Sequence, residues 1–167
     1  MTLTNSTVAG NTVDAAGGGS FVGFGGGIYS ISGTVNIISS TVSGNLSSNG
    51  GFGGGIFNDE FNVMTAINST IAANSADAFG GGIETESGAT VNLSNVTISS
   101  NTVPSAIGGG IDREGGVLNV KNSILASNTG NCALGDIPEL YSAGHNLSDD
   151  GSCASNNEGV PFFNPIG

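Results

Sequence analysis

The chain has 167 residues, with 13 acidic side chains against 2 basic ones and a net charge of −11. A chain this acidic repels phosphate backbones, which argues against nucleic acid as a partner, and no run approaches the roughly 20 apolar residues of a membrane span. Thirty glycines and only 9% charged residues would fit a disordered tract, but a hydrophobic fraction of 37% excludes one, because disorder requires apolar poverty and high charge.

The opening, MTLTNSTVAG, has no basic region followed by an apolar run and so shows no signal peptide. Residues 1–11 already read as the last strand of a repeat unit, which points to a mature or excised piece of a longer protein. NSTVAGN at 5–11 is the first of five related words, followed by SSTVSGN at 39–45, NSTIAAN at 68–74, NVTISSN at 95–101 and NSILASN at 122–128. They close on Asn11, Asn45, Asn74, Asn101 and Asn128, with spacings of 34, 29, 27 and 27 residues. These asparagines are expected to form a turn ladder, since Asn tolerates left-handed backbone and bonds its own chain. The stretches that follow them vary in length, and insertions in a solenoid collect at one corner. The longest, TVDAAGGGSFVGF at 12–24, is the expected exposed elaboration.

A second word follows each variable stretch: FGGGI at 24–28, 52–56 and 79–83, then IGGGI at 107–111. Its isoleucines, Ile28, Ile56, Ile83 and Ile111, recur at intervals of 28, 27 and 28 residues. Such a period is the signature of a repeat array. The glycines lack the Lys-Ser/Thr that a phosphate-binding loop needs next. They read as a sharp corner into a strand, over which Phe24, Phe52, Phe79 and Ile107 stack in register.

Between the two words lie TVNII from Thr34, VMTAI from Val63, TVNLS from Thr90 and VLNVK from Val117. Each alternates with period two, as a half-buried strand does. Nothing has helical periodicity. Three short strands in each turn of about 27–28 residues predict an all-β parallel β-helix, each strand pairing with its counterpart one coil on at roughly 4.8 Å. The inward columns are then Ile28, Ile56, Ile83 and Ile111; Val35, Met64, Val91 and Leu118 beside Ile37, Ala66, Leu93 and Val120; and Val42, Ile71, Ile98 and Leu125. No single coil could bury them alone.

Stacking also lines up acids. Asp59, Glu86 and Glu114 fall in one column and Glu84 beside Asp112. Carboxylates about 5 Å apart repel, so they need a cation, a proton or outward splay. Three uses are open: a Ca²⁺-binding face, the acidic cleft of a polysaccharide-cleaving enzyme assisted by Arg113, or a solvated face on which Arg113 relieves the repulsion. The residues present no catalytic set.

The Gly-Gly-Gly-Ile word and the forms Val42-Ser-Gly-Asn45, Ile71-Ala-Ala-Asn74 and Ile98-Ser-Ser-Asn101 resemble the repeats of polymorphic outer-membrane proteins and autotransporter passengers, with an aliphatic residue in place of Phe. The bacterial choice-of-anchor β-helix class is a closer resemblance, because its coils precede a segment like NSILASNTGNCALGD…SAGHNLSDDGSC. The resemblance covers roughly residues 1–155. It implies a right-handed helix, residence outside the cell or on its surface, and a structural or adhesive role.

From Asn131 the repeat breaks down, which divides the chain into coils at 1–130 and an irregular, capping segment at 131–167. In a chain of surface-protein character, Cys132 and Cys153, the only two cysteines, read as a disulfide closing that segment. Such a bond stabilises by roughly 3 kcal/mol. A zinc site is excluded, since His145 alone cannot complete the ligands. A catalytic Ser-His-Asp set would also have to use His145, whose AGHN context reads as structural. The expectation is a non-enzymatic extracellular module, built into a larger parent chain or stacked end to end as a filament, with carbohydrate as a further partner. The alternative is a polysaccharide-binding or -cleaving protein that uses the acidic face with calcium.

Overall fold

The three recurring words become three parallel sheets because each coil lays the same word over its predecessor. A computed structural model describes residues 1–15, 22–135 and 140–153 and the backbone at 164–165; it is a parallel β-solenoid of about 4 turns. The first sheet stacks Thr2–Thr4, Thr34–Ile38, Val63–Ile67, Thr90–Ser94, Val117–Lys121 and Leu140–Ser142. The second stacks Thr7–Ala9, Thr41–Ser43, Thr70–Ala72, Thr97–Ser99, Ile124–Ala126, Leu147–Ser148 and Asn164–Pro165. The third stacks Ile28–Ser30, Ile56–Asn58, Ile83–Thr85, Ile111–Arg113 and Cys132–Leu134. Among the described residues there is no helix.

The expected columns are the core. Ile28 pairs with Ile56, Ile56 with Ile83 and Ile83 with Ile111, and all four are buried. Val42, Ile71, Ile98 and Leu125 stack the same way in the second sheet and are wholly buried. Each such side chain contributes about 1.5–3 kcal/mol by leaving water. The sequence beyond Asn131 departs from the repeat, yet it adds a strand in register to each of these three sheets: Cys132 beneath Ile111, Leu140 beneath Leu118, Ser148 beneath Leu125. The disulfide joins Cys132 to Cys153, with their Cα atoms 5.0 Å apart.

A fourth, short sheet adds to the expected three. Thr12–Asp14, Leu46–Ser48 and Ser75–Ala76 pair in parallel just after the closing asparagines, and Ser75 bridges Thr102. Two or three residues carry no readable alternation, so only the stacking of coils reveals these strands. Residues 16–21 of the 12–24 insertion lie outside the described residues.

The left-handed residue at the turn is not the asparagine but its predecessor: Gly10, Gly44, Ala73, Ser100 and Ser127 have φ between 55° and 67°. That corner frees each asparagine to point inward. Asn74 Oδ1 accepts from the backbone N and the Nδ2 of Asn45, at 3.0 and 2.9 Å. Its own Nδ2 donates to Val42 O at 3.1 Å and to Asn101 Oδ1 at 3.0 Å. The pattern runs on through Asn128 to Asn131, where Asp149 and Asp150 accept in place of a further asparagine. Buried polar groups survive in a core only when satisfied in this way.

Candidate functional site

The alternation that points Ile28, Ile56, Ile83 and Ile111 inward points the next residue outward. The register stacks Tyr29, Phe57, Glu84 and Asp112 in one outward file, aromatic in its first two coils and carboxylic in the next two. Each lies over the first glycine of its word. Gly80 shows why the word needs that glycine: its φ is +62°, and a Cβ there would lie 2.5 Å from Glu84 Oε2. The third glycine is fixed by the neighbouring coil, since a Cβ on Gly82 would lie 2.5 Å from Gly110 O.

Beside this file runs the expected aromatic one. The Phe24 and Phe52 rings stack at 5.8 Å, and Phe52 and Phe79 follow at 5.9 Å. Phe79 and Ile107 remain exposed. Rings and carboxylates together line an open cleft of about 860 Å³: Phe24, Phe52, Phe79 and Ile107 contribute apolar surface, and Glu84, Glu86, Asp112 and Glu114 contribute acids, with Arg113 also in its wall. A smaller concavity of about 320 Å³ lies on the first sheet, by the ladder in which Asn119 Nδ2 donates to Asn92 Oδ1 at 2.8 Å.

The five expected acids separate into two groups. One carboxylate oxygen each from Glu84, Glu86 and Glu114 lies within 4.8 Å of the others. Asp112 stands beside Glu84 in the file. Asp59 turns away instead, accepting from the Tyr29 hydroxyl at 2.7 Å and from Glu60 N at 2.7 Å. Tyr29 was not legible as its partner, because nothing in a sequence pairs an aromatic with an acid one coil away.

Glu84 is only 2% exposed, and its Oε2 has no hydrogen-bond partner. Burial pushes its carboxyl up to about 10, helped by the charges of Asp112, Glu86 and Glu114. It therefore holds its proton at neutral pH. Burial also raises Glu86, with the charge of Glu114 and a hydrogen bond to it, to about 7. Asp112 rises to about 6 through burial and the charge of Glu114, against the pull of a backbone hydrogen bond from Arg113.

Arg113 belongs to the inward polar file of Ser30, Asn58 and Thr85. It is 1% exposed. Its guanidinium donates to Gly116 O at 2.9 Å through Nη1 and to Gly135 O at 3.5 Å through Nη2. The chain has thus placed its arginine to tie a turn to the last described coil.

His145 occupies a left-handed corner, φ 59°, in the file that begins with Asn5, Ser39, Asn68, Asn95 and Asn122. This is a structural position. Sequence reasoning missed a second polar ladder: Ser6 N and Ser40 N donate to the Oγ of Ser40 and Ser69, at 3.0 and 3.1 Å. Val96 N and Ser123 N continue it onto Ser123 Oγ and Asn146 Oδ1. The signal was the serine recurring in second place in four of the five words.

A comparison with protein-family models, with curated proteins and with solved structures finds no match to this chain. The arrangement itself is chemically definite. It brings hard oxygen ligands, a protonated acid and apolar rings into one cleft. Among the described residues, no helix is long and apolar enough to cross a membrane.

Proposed function

We propose that this chain is a non-enzymatic, extracellular adhesive module that holds a polysaccharide along its side, in the cleft lined by the phenylalanine file and the carboxylates. The observation that carries the reading is the file itself: stacked rings in three successive coils, Phe24 and Phe79 exposed and Phe52 half-buried, next to acids that can accept and donate hydrogen bonds. Sugar rings present apolar C–H faces and hydroxyl rims, and a binding site is normally an apolar concavity with a few convergent polar groups. The resemblance of the repeat words to those of bacterial surface proteins supports the location. The non-enzymatic part is supported by the same resemblance, which is to structural coils, and by the lack of a recognisable catalytic set in the sequence.

Affinity electrophoresis through gels loaded with neutral and acidic polysaccharides tests this, alongside an assay for new reducing ends and for unsaturated sugar products. Retardation by at least one polysaccharide is expected, abolished in Phe79→Ala, with neither kind of product formed. Retardation by none of them, or retardation that Phe79→Ala leaves intact, would refute the binding reading. New reducing ends or unsaturated products would refute the non-enzymatic one.

A further inference from the structure

The three clustered glutamates are held together by the backbone, not by side-chain choice. Glu84 and Asp112 are paired across neighbouring coils, and Glu114 N donates to Thr85 O at 3.0 Å, which fixes Glu114 over Glu86. Like charges stacked this way destabilise a sheet unless something stands between them. Acidic clusters are common on protein surfaces, and this one alone would carry no ligand. Glu84 makes the difference: it is 2% exposed, its Oε2 has no hydrogen-bond partner, and its carboxyl group contributes to the set whose oxygens lie within 4.8 Å of one another. A buried acceptor is costly to leave unsatisfied, and a cation that displaces the Glu84 proton gains an oxygen that no protein group donates to.

We propose that Glu84, Glu86 and Glu114 form a divalent-cation site of the calcium class. All three ligands are hard oxygens, which select hard cations over thiolate- or imidazole-seeking metals. Three oxygens that lie within 4.8 Å of one another can converge on one ion. Ca²⁺ accepts about six to eight oxygens in flexible geometry, whereas Mg²⁺ demands a near-ideal octahedron and gives up its water reluctantly, so an irregular, partly hydrated set favours Ca²⁺. The cleft is open, so water can complete the shell, and Asp112 adds charge beside it. This site does not depend on the polysaccharide reading, since the ligands all come from the chain.

Isothermal titration of the whole chain, stripped with EDTA and free of any polysaccharide, tests the site with calcium chloride and magnesium chloride. One Ca²⁺ per chain is expected, in the range of about 10⁻⁴–10⁻³ M typical of extracellular modules, with Mg²⁺ at least tenfold weaker. Glu84→Gln and Glu114→Gln should each weaken Ca²⁺ at least tenfold, while the unfolding midpoint in EDTA is kept or raised. No saturable heat up to about 10 mM Ca²⁺ would overturn the proposal. So would binding that both substitutions leave unchanged, which would place the ion elsewhere on the acidic surface.

Discussion

Replacing Glu84 by Gln removes a proton-binding group while keeping its shape. In the folded chain, burial raises this carboxyl from an ordinary 4.5 to about 10; in the unfolded chain it titrates normally. Because the folded value is the higher one, the contribution to stability is complete below about pH 4.5 and is lost as pH rises toward 10. Each pH unit in that window is worth about 1.4 kcal/mol. Between pH 4.5 and 7 the loss therefore amounts to about 3 kcal/mol, with little screening for a side chain that is only 2% exposed. Gln has no such slope. Unfolding by guanidinium in EDTA at pH 4.5, 6, 7 and 8 should therefore show variant and wild type close together at pH 4.5. By pH 7 the variant should be more stable by about 3 kcal/mol. Glu86 and Asp112, raised to about 7 and 6, titrate in both proteins and leave the difference intact. Stability curves that run parallel across this range would refute the reading of Glu84 as a buried, protonated acid.

Truncating Asn74 to Ala strands two buried donors of Asn45, its backbone N–H and one N–H of its side-chain amide. At about 1–3 kcal/mol for each, the guanidinium midpoint should report a loss of roughly 3–5 kcal/mol; a loss below about 1 kcal/mol would mean that the ladder is decoration. Gly82→Ala forces a methyl to within 2.5 Å of Gly110 O and should destabilise by about 1–3 kcal/mol. Gly33→Ala, whose nearest neighbour would be Asn62 Oδ1 at 3.7 Å, should stay within about 0.5 kcal/mol of wild type. Equal effects of the two would contradict the close approach of coils at the glycine word. Reducing the Cys132–Cys153 bond, which spans 21 residues, should lower stability by about 3 kcal/mol, measured as a midpoint shift with and without reductant.

These expectations depend on one device, the repetition of a coil in register. Parallel stacking turns a sequence period into a column, so any side chain that satisfies itself against its own copy can be repeated without limit. Asn74 does this with four hydrogen bonds, two accepted and two donated, and the isoleucines do it with apolar surface. An acid cannot, because its copy repels it. The outward file accordingly changes from Tyr29 and Phe57 to Glu84 and Asp112, and the cleft forms where the repeat stops being self-complementary.

The stack is written in the sequence. A period of 27–28 residues and three words with period-two alternation name the columns, because strands paired in register leave each residue no neighbour but its counterpart. The columns Ile28 through Ile111 and Val42 through Leu125 follow from that period and alternation alone. The left-handed turn was legible only to within one residue, since Asn and the residue before it are both plausible there; the backbone chose Gly44, Ala73, Ser100 and Ser127. The site is a product of tertiary packing. Alternation places Glu84 outward and so predicts a solvated acid, but it says nothing about what lies alongside an outward residue. The Gly80 corner leaves a space that the Glu84 carboxyl fills. Its burial, its proton and its place among Glu86 and Glu114 arise from contacts between coils, which no local pattern records.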